Sequence, residues 1–155
     1  MRTRWVRLSA VMLSVVFIGL LASSAFTQGP STNPIADRQR IMKLIGANWA
    51  DIQAKTKAAN IEAIAVNAET IAMVTTHVPA LFPPNSLADN SNAKPEIWQE
   101  WSKFQDLAKN LETRAISLRD AAKAKDAAAV ESQVKEFGTQ ACGACHTPFR
   151  KPPRQ

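Results

Sequence analysis

Cysteine and histidine are scarce in this chain, whose 155 residues include only two of each. A structural zinc site uses four ligands, and with no second cysteine pair and His77 as the one further histidine, such a shell is hard to assemble. A thioredoxin-like redox dithiol needs a βαβ setting, and no such pattern is visible. Cys142 and Cys145 must therefore be explained together with His146, which follows them directly.

The lack of catalytic motifs and the small net charge exclude two further classes of function. No paired carboxylates, nucleophile with a base, or phosphate-binding loop stands out, so the protein is not expected to be an enzyme. Like charges cluster only in the short tail from Arg150 to Arg154. Without Arg2, Arg4 and Arg7, which lie in a predicted leader, the formal net charge falls from +6 to +3. No nucleic-acid binding follows from so small a charge.

Residues 1–25 have the pattern of a secretory signal peptide. Arginines precede an apolar run from Val11 to Leu21, and the small residues Ser23, Ser24 and Ala25 follow it. The alternative is an uncleaved membrane anchor, for which the apolar run is short. We therefore predict export to the periplasm, a disordered leader over residues 26–33, and a single domain over residues 34–155.

Apolar residues recur at steps of three and four along most of this domain, which predicts helices. Asn33 and Asp126 are placed to cap the first and fourth helices, and Asn60 to cap the second. The predicted helices cover residues 34–57, 61–78, 95–125 and 127 onward. A connection rich in proline and asparagine separates the second helix from the third, and no alternating strand pattern occurs. The sequence thus predicts an all-α protein, an antiparallel four-helix bundle.

The stretch from Cys142 to His146 has the spacing of a c-type haem attachment site. Two thiols three positions apart lie on one face of a helix, where each can add across a vinyl group of the same haem. His146 would then bind the iron from the proximal side. A plain disulfide between the two cysteines is the alternative, in a haem-free helical binding protein, although it would not need the histidine.

At this point the sequence resembles the class II c-type cytochromes, the cytochrome c′ and cytochrome c-556 group. The matching stretches are Arg38–Lys43, Leu81–Pro83, Lys94–Trp98, and Cys142–His146 followed by Phe149 and Arg150. The position of the haem motif near the C-terminus is the most specific match, because class I cytochromes c carry theirs near the N-terminus. The resemblance implies a bundle with one covalent haem c, His146 as proximal ligand, and a distal pocket lined by the first helix.

Two residues of the first helix receive roles through this resemblance. Met42 matches the distal position, which is a methionine ligand in the c-556 branch and a non-coordinating apolar residue in many cytochromes c′. Arg38 matches an arginine that reaches a haem propionate. From the residues alone, a methionine at helical spacing is more often packing than ligand. An arginine at a bundle end can also extend its charge into solvent.

Three other residues near these positions carry narrower expectations. His77 precedes Pro79 at a predicted helix end and is expected to be a surface residue. Pro148, two residues after the predicted ligand, should end or kink the last helix because it lacks a backbone N–H. Arg150 matches a basic residue that lies beside the proximal histidine in the related proteins.

The leading functional prediction is a periplasmic monohaem electron carrier whose iron is bound by His146 and Met42. It would pass its electron to a transient redox protein partner. The alternative is a five-coordinate cytochrome c′ that binds nitric oxide or carbon monoxide in an apolar distal pocket. Members of the resembled group occur as monomers and as homodimers, so the oligomeric state stays open.

Overall fold

The structure, a computed structural model, describes residues 33–152. The predicted signal peptide, the leader before Asn33 and the last three residues of the tail lie outside the described residues. Within them the helices are α1 (Pro34–Lys57), α2 (Ile64–Thr75), α3 (Glu96–Gln99), α4 (Trp101–Lys123), α5 (Ala127–Phe137) and α6 (Ala144–Phe149). A 3₁₀ turn covers Pro79–Leu81, and a π-helical turn covers Gly138–Gly143.

Two of the predicted helix starts are confirmed by their capping hydrogen bonds. The Asn33 side chain accepts from the Ala36 N–H at 3.0 Å, and Pro34 occupies the first helical position, where its missing N–H costs nothing. The Asp126 carboxylate accepts from the Ala129 N–H, also at 3.0 Å. Each side chain satisfies a backbone donor that has no partner inside its helix.

The predicted start of the second helix at Asn60 is wrong. The chain reverses at Ala59, whose φ is 55°, and the Asn60 N–H bonds back to the Lys55 carbonyl at 2.9 Å. Asn60 therefore closes the end of α1, and α2 begins only at Ile64, with no side-chain cap. At the other end of α2, hydrogen bonds between residues three apart, such as Val78 N–H to the Thr75 carbonyl, lead the chain into the 3₁₀ turn.

The predicted third helix is interrupted at Glu100, whose φ of −113° and ψ of 45° are not helical. The tryptophans on either side of the break have different partners. Trp98 Nε1 donates to the carbonyl of Phe82 at 3.0 Å, whereas the Trp101 ring lies 5.5 Å from that of Phe104. These tertiary contacts override a helical pattern that runs without interruption through the sequence.

The predicted four-helix bundle is confirmed. Helix α2 packs against α1 and α4, and α5 packs against the same two helices. The described residues contain no strand, and their single β-bridge joins Ala93 to Arg150. Burying one large apolar side chain stabilises a fold by about 1.5–3 kcal/mol. The fully buried side chains between these helices include Ile52, Ile64, Ile71, Leu118, Val130 and Phe137.

Among the described helices, none combines the length and the apolar character needed to cross a membrane.

Candidate functional site

A cavity of about 370 Å³ lies at one end of the bundle. Its volume falls within the range of about 300–1,000 Å³ that is usual for small-molecule sites. Four of the five predicted site residues line it: Arg38 and Met42 from α1, and Cys145 and His146 from α6. The fifth, Cys142, does not line the cavity but lies just before α6, half-buried against the hydrophobic core.

Phenylalanines from three parts of the chain form an apolar wall of this cavity. Phe82 from the connection and Phe149 from α6 both pack on Phe104 of α4, with ring centroids 4.8 Å and 5.5 Å away. Both contacts have the edge-to-face geometry that aromatic pairs prefer. Phe82 and Phe149 had no predicted role beyond their match to related sequences, although each adjoins a proline that redirects the chain.

Arg38 is buried, with 5% of its surface exposed, so its charge does not extend into solvent. Its Nε donates to the Leu81 carbonyl at 2.6 Å, and its Nη2 donates to the carbonyl of Ser86 at 2.9 Å and to that residue's hydroxyl. The guanidinium also lies 4.4 Å from the centre of the Phe82 ring. Arg38 thereby ties the connection to α1.

The charge of Arg38 has no carboxylate partner within ion-pair distance among residues 33–152. Burial lowers the pKa of its guanidinium. A buried cation that makes hydrogen bonds only to neutral groups favours the arrival of an anion. The propionate of a haem is an anion of this kind.

The two thiols are free, and the surroundings keep both protonated at neutral pH. Burial raises the pKa of Cys142. Burial, with a smaller contribution from Cys142, raises the pKa of Cys145 to about 11. Thiols with raised pKa values are weak nucleophiles and resist unwanted oxidation.

His146 lies at the cavity edge, where its side chain is partly exposed and partly buried. This partial burial lowers the pKa of His146, and the positive charge of Arg150 lowers it further. The ring is therefore neutral at pH 7 and keeps a nitrogen lone pair with which to bind a metal. Two thiols, a neutral imidazole, a buried cation and an apolar wall together fit a haem.

The π-helical turn at Gly138–Gly143 changes the register of the chain just before the second cysteine. In such a turn hydrogen bonds span five residues, and π turns of this kind are frequent at functional sites. The predicted fourth helix, from residue 127 onward, assumed regular α-helical spacing and missed this change. Gly138 and Gly143 mark the two ends of the turn, but the spacing of two glycines does not by itself predict a π turn.

The predictions for His77 and Pro148 are confirmed. His77 is exposed and does not line the cavity, as expected. Helix α6 continues through Pro148 but ends at Phe149, and Arg150 is extended with φ −116° and ψ 135°. Pro148 thus marks the end of the helix as predicted, and Arg150 remains at the cavity edge.

The fold and this donor set define a class, the class II c-type cytochromes. A family model described as Cytochrome C′ matches residues 33–150. The chain belongs to the cytochrome c′ family and binds the haem c of that family.

Sequence and structural relatives agree with this assignment. The cytochrome c′ of Rhodospirillum rubrum is 31% identical over 85 residues, which cover 54% of this chain and 57% of that protein. A solved cytochrome c′ with an unusual ligand-controlled dimer dissociation has a TM-score of 0.72 at 26% identity, over 80% of this chain and 99% of that one. The chain spans about half the length of the curated relatives it matches.

A ferrous cytochrome c′ variant from Alcaligenes xylosoxidans, solved with bound nitric oxide, shares the fold. Its TM-score is 0.70 at 22% identity, over 79% of this chain and 99% of that one. The leading prediction, an electron carrier with a His/Met-ligated iron, is wrong, because the matching family model and the curated relative are cytochromes c′, the family of the alternative prediction. Met42 itself lies on the cavity wall.

Replacing Arg38 by lysine should destabilise the protein by about 1–3 kcal/mol, because one ammonium cannot serve the separate acceptors that the guanidinium fork reaches. Arg40→Lys is the matched control: Arg40 is exposed, and its one ion pair within residues 33–152 is with Asp37, so its change should stay within about 0.5 kcal/mol. Urea unfolding of the two haem-loaded variants measures both effects. Equal losses would contradict the anchoring role of Arg38.

Alanine at Gly143 should stabilise the protein less than alanine at Gly46, although both positions are helical. At Gly46 an added Cβ meets no atom within 4 Å, and the lower chain entropy of alanine should contribute about 0.5–1 kcal/mol. At Gly143 the Cβ would lie 3.3 Å from the Gly138 carbonyl oxygen across the π turn, which offsets that gain. Unfolding free energies compare the two variants, and an equal gain at both sites would show that the π turn imposes no such limit.

Proposed function

We propose that this chain is a periplasmic cytochrome c′ that holds one haem c and binds nitric oxide or carbon monoxide. The observation that carries the proposal is the cavity between α1 and α6, which is lined largely by apolar side chains. The match to the cytochrome c′ family supports it, as does the nitric oxide complex of the Alcaligenes protein. The predicted signal peptide supports export.

Four of the predicted site residues would hold the haem in this proposal. The Cys142 and Cys145 thiols would bind it covalently, each as a thioether to one vinyl group. His146 offers its neutral imidazole to the iron. Arg38 offers a buried positive charge to a propionate. When bound, the haem supplies an iron with a coordination position open to a diatomic gas.

Three polar side chains of α1 line the cavity: Arg38 and Gln39 donate to carbonyls of the connection, and Lys43 is exposed. The Arg38 donors point to the carbonyls of Leu81 and Ser86, and Gln39 Nε2 donates to the Asn90 carbonyl at 3.3 Å. Met42 on the same wall offers only a thioether, a weak acceptor with no donor. Beside Met42 the wall suits a neutral gas, because the thioether has no donor with which to stabilise a ligand that gains negative charge on binding.

The proposal is one of binding rather than catalysis. A transient redox protein would supply the electron that keeps the iron ferrous, which is the state of the Alcaligenes nitric oxide complex. The chain would act as a monomer or a homodimer, and the relative with ligand-controlled dimer dissociation supports a link between ligand binding and assembly.

Carbon monoxide should bind rapidly to the dithionite-reduced protein and shift its absorption spectrum, because the distal position is open. A Met42→Leu variant keeps the volume and the apolar character of the side chain, so its dissociation constant should stay within about tenfold. Stopped-flow absorption measures both proteins. A sharp low-spin reduced spectrum that carbon monoxide leaves undisturbed, and that Met42→Leu abolishes, would overturn the proposal.

Single serine substitutions should separate the two attachment points. Cys142→Ser and Cys145→Ser should each still carry covalent haem through the remaining thioether, whereas the double variant should carry none. Denaturing mass spectrometry of protein exported from cells with the haem attachment machinery shows the added mass directly. Covalent haem on the double variant would exclude these thiols as the attachment points.

A further inference from the structure

The chain that follows α6 pairs with the connection that precedes α3. Ala93 and Arg150 form an antiparallel bridge. The Lys94 N–H donates to the Phe149 carbonyl at 3.0 Å, and the Lys151 N–H donates to the Asn92 carbonyl at 2.8 Å. These paired segments, residues 91–94 and 149–151, are called the latch below. They form the only strand-like pairing among the described residues.

Side chains extend the latch in both directions. Lys151 Nζ donates to the Ser91 carbonyl at 3.1 Å, and Lys94 Nζ donates to the Thr147 carbonyl at 3.3 Å. The Ser91 hydroxyl accepts from the Ala93 N–H at 3.2 Å and lies 3.5 Å from Arg38 Nη1. A continuous set of contacts thus joins the end of α6 to α1.

Helix α6 has little stability of its own. It is six residues long, contains Pro148, and follows a π turn at one end and meets extended backbone at the other. The backbone of α6 continues from α5 through the π turn, where Gly138, Gly143 and Ala144 all have helical φ and ψ, and Pro148 removes one backbone donor near its end. The orientation of His146 is therefore set by two supports, this continuous helical stretch and the contacts that hold the end of α6.

The latch is also part of the cavity. Ser91, Asn92 and Ala93 line it from one segment, and Phe149 and Arg150 line it from the other. If the two segments separated, the cavity would lose one wall. At the same time α6, which carries His146, would lose the hydrogen bonds that hold its end.

We propose that the latch positions His146 against the cavity, with Lys151 as the positioning residue whose backbone N–H closes it. This inference rests on the proposed role of His146 as iron ligand. Lys151 does not touch the iron or a gas ligand; it acts through the six-residue helix that carries the histidine. Ser91 connects the latch to Arg38 and hence to the opposite wall.

The test compares Lys151→Pro with Lys151→Ala in the haem-loaded protein. Proline removes the N–H that bonds to Asn92, while alanine keeps it and removes only the Nζ contact. Arg150 already has the extended backbone that a residue before proline requires, so the proline should introduce no clash there. Two measurements apply: amide hydrogen exchange at Lys94, and the iron–imidazole stretching band of the ferrous protein by resonance Raman.

In Lys151→Pro the Lys94 amide should exchange about tenfold faster or more, and the iron–imidazole band should shift or broaden. Lys151→Ala should lie close to the wild type in both. Identical behaviour of the two variants would overturn the proposal. So would faster exchange at Lys94 with an unchanged band, because the latch would then open without moving His146.

A measurement on the unmodified protein keeps the test decisive if the proline variant fails to load haem. The Lys151 amide should be protected from exchange because it donates to the Asn92 carbonyl within the latch. Exchange at the rate of an unstructured peptide would overturn the inference. Carbon monoxide binding is recorded separately, so failure of the gas-binding proposal and failure of the latch are distinguishable.

Discussion

The hydrogen bonds of Arg38 are the interaction on which the cavity end of the bundle depends. The connection between α2 and α3 has no regular structure over most of its length, yet it covers this end of the molecule. Its backbone carbonyls at Leu81 and Ser86 would be costly to bury without donors, and the guanidinium of Arg38 supplies them. The connection is therefore held in place by α1, and the cavity wall that it contributes is held with it.

Much of the scaffold could be predicted because it follows from local chemistry. Asn33 and Asp126 cap helices through bonds that span three residues, and the buried stripe through Ile45 and Ile52 follows the helical repeat. The haem motif is likewise local, since its five residues are contiguous. Where sequence-local rules decide the structure, prediction and structure agree.

The failures lie where distant segments decide the local conformation. The break at Glu100 separates two tryptophans that bind different partners, and nothing in the apolar pattern reveals those partners. The π turn changes the register of the last helix without changing its composition. The pairing of Ala93 with Arg150 joins segments far apart in the sequence and too short to carry an alternating pattern. The choice between ligand and packing for Met42 is of the same kind, because the helical repeat places the side chain inward in either case.

Arg38 also connects the fold to the chemistry of the site. Its Nε and Nη2 donate to the connection, while its net charge remains available to an anion, since the acceptors around it are neutral. The same contacts thus hold the connection in place and keep a positive charge beside the cavity. Met42, on the wall that α1 contributes, offers no hydrogen-bond donor, so a neutral diatomic gas beside it would depend mainly on the iron for its binding.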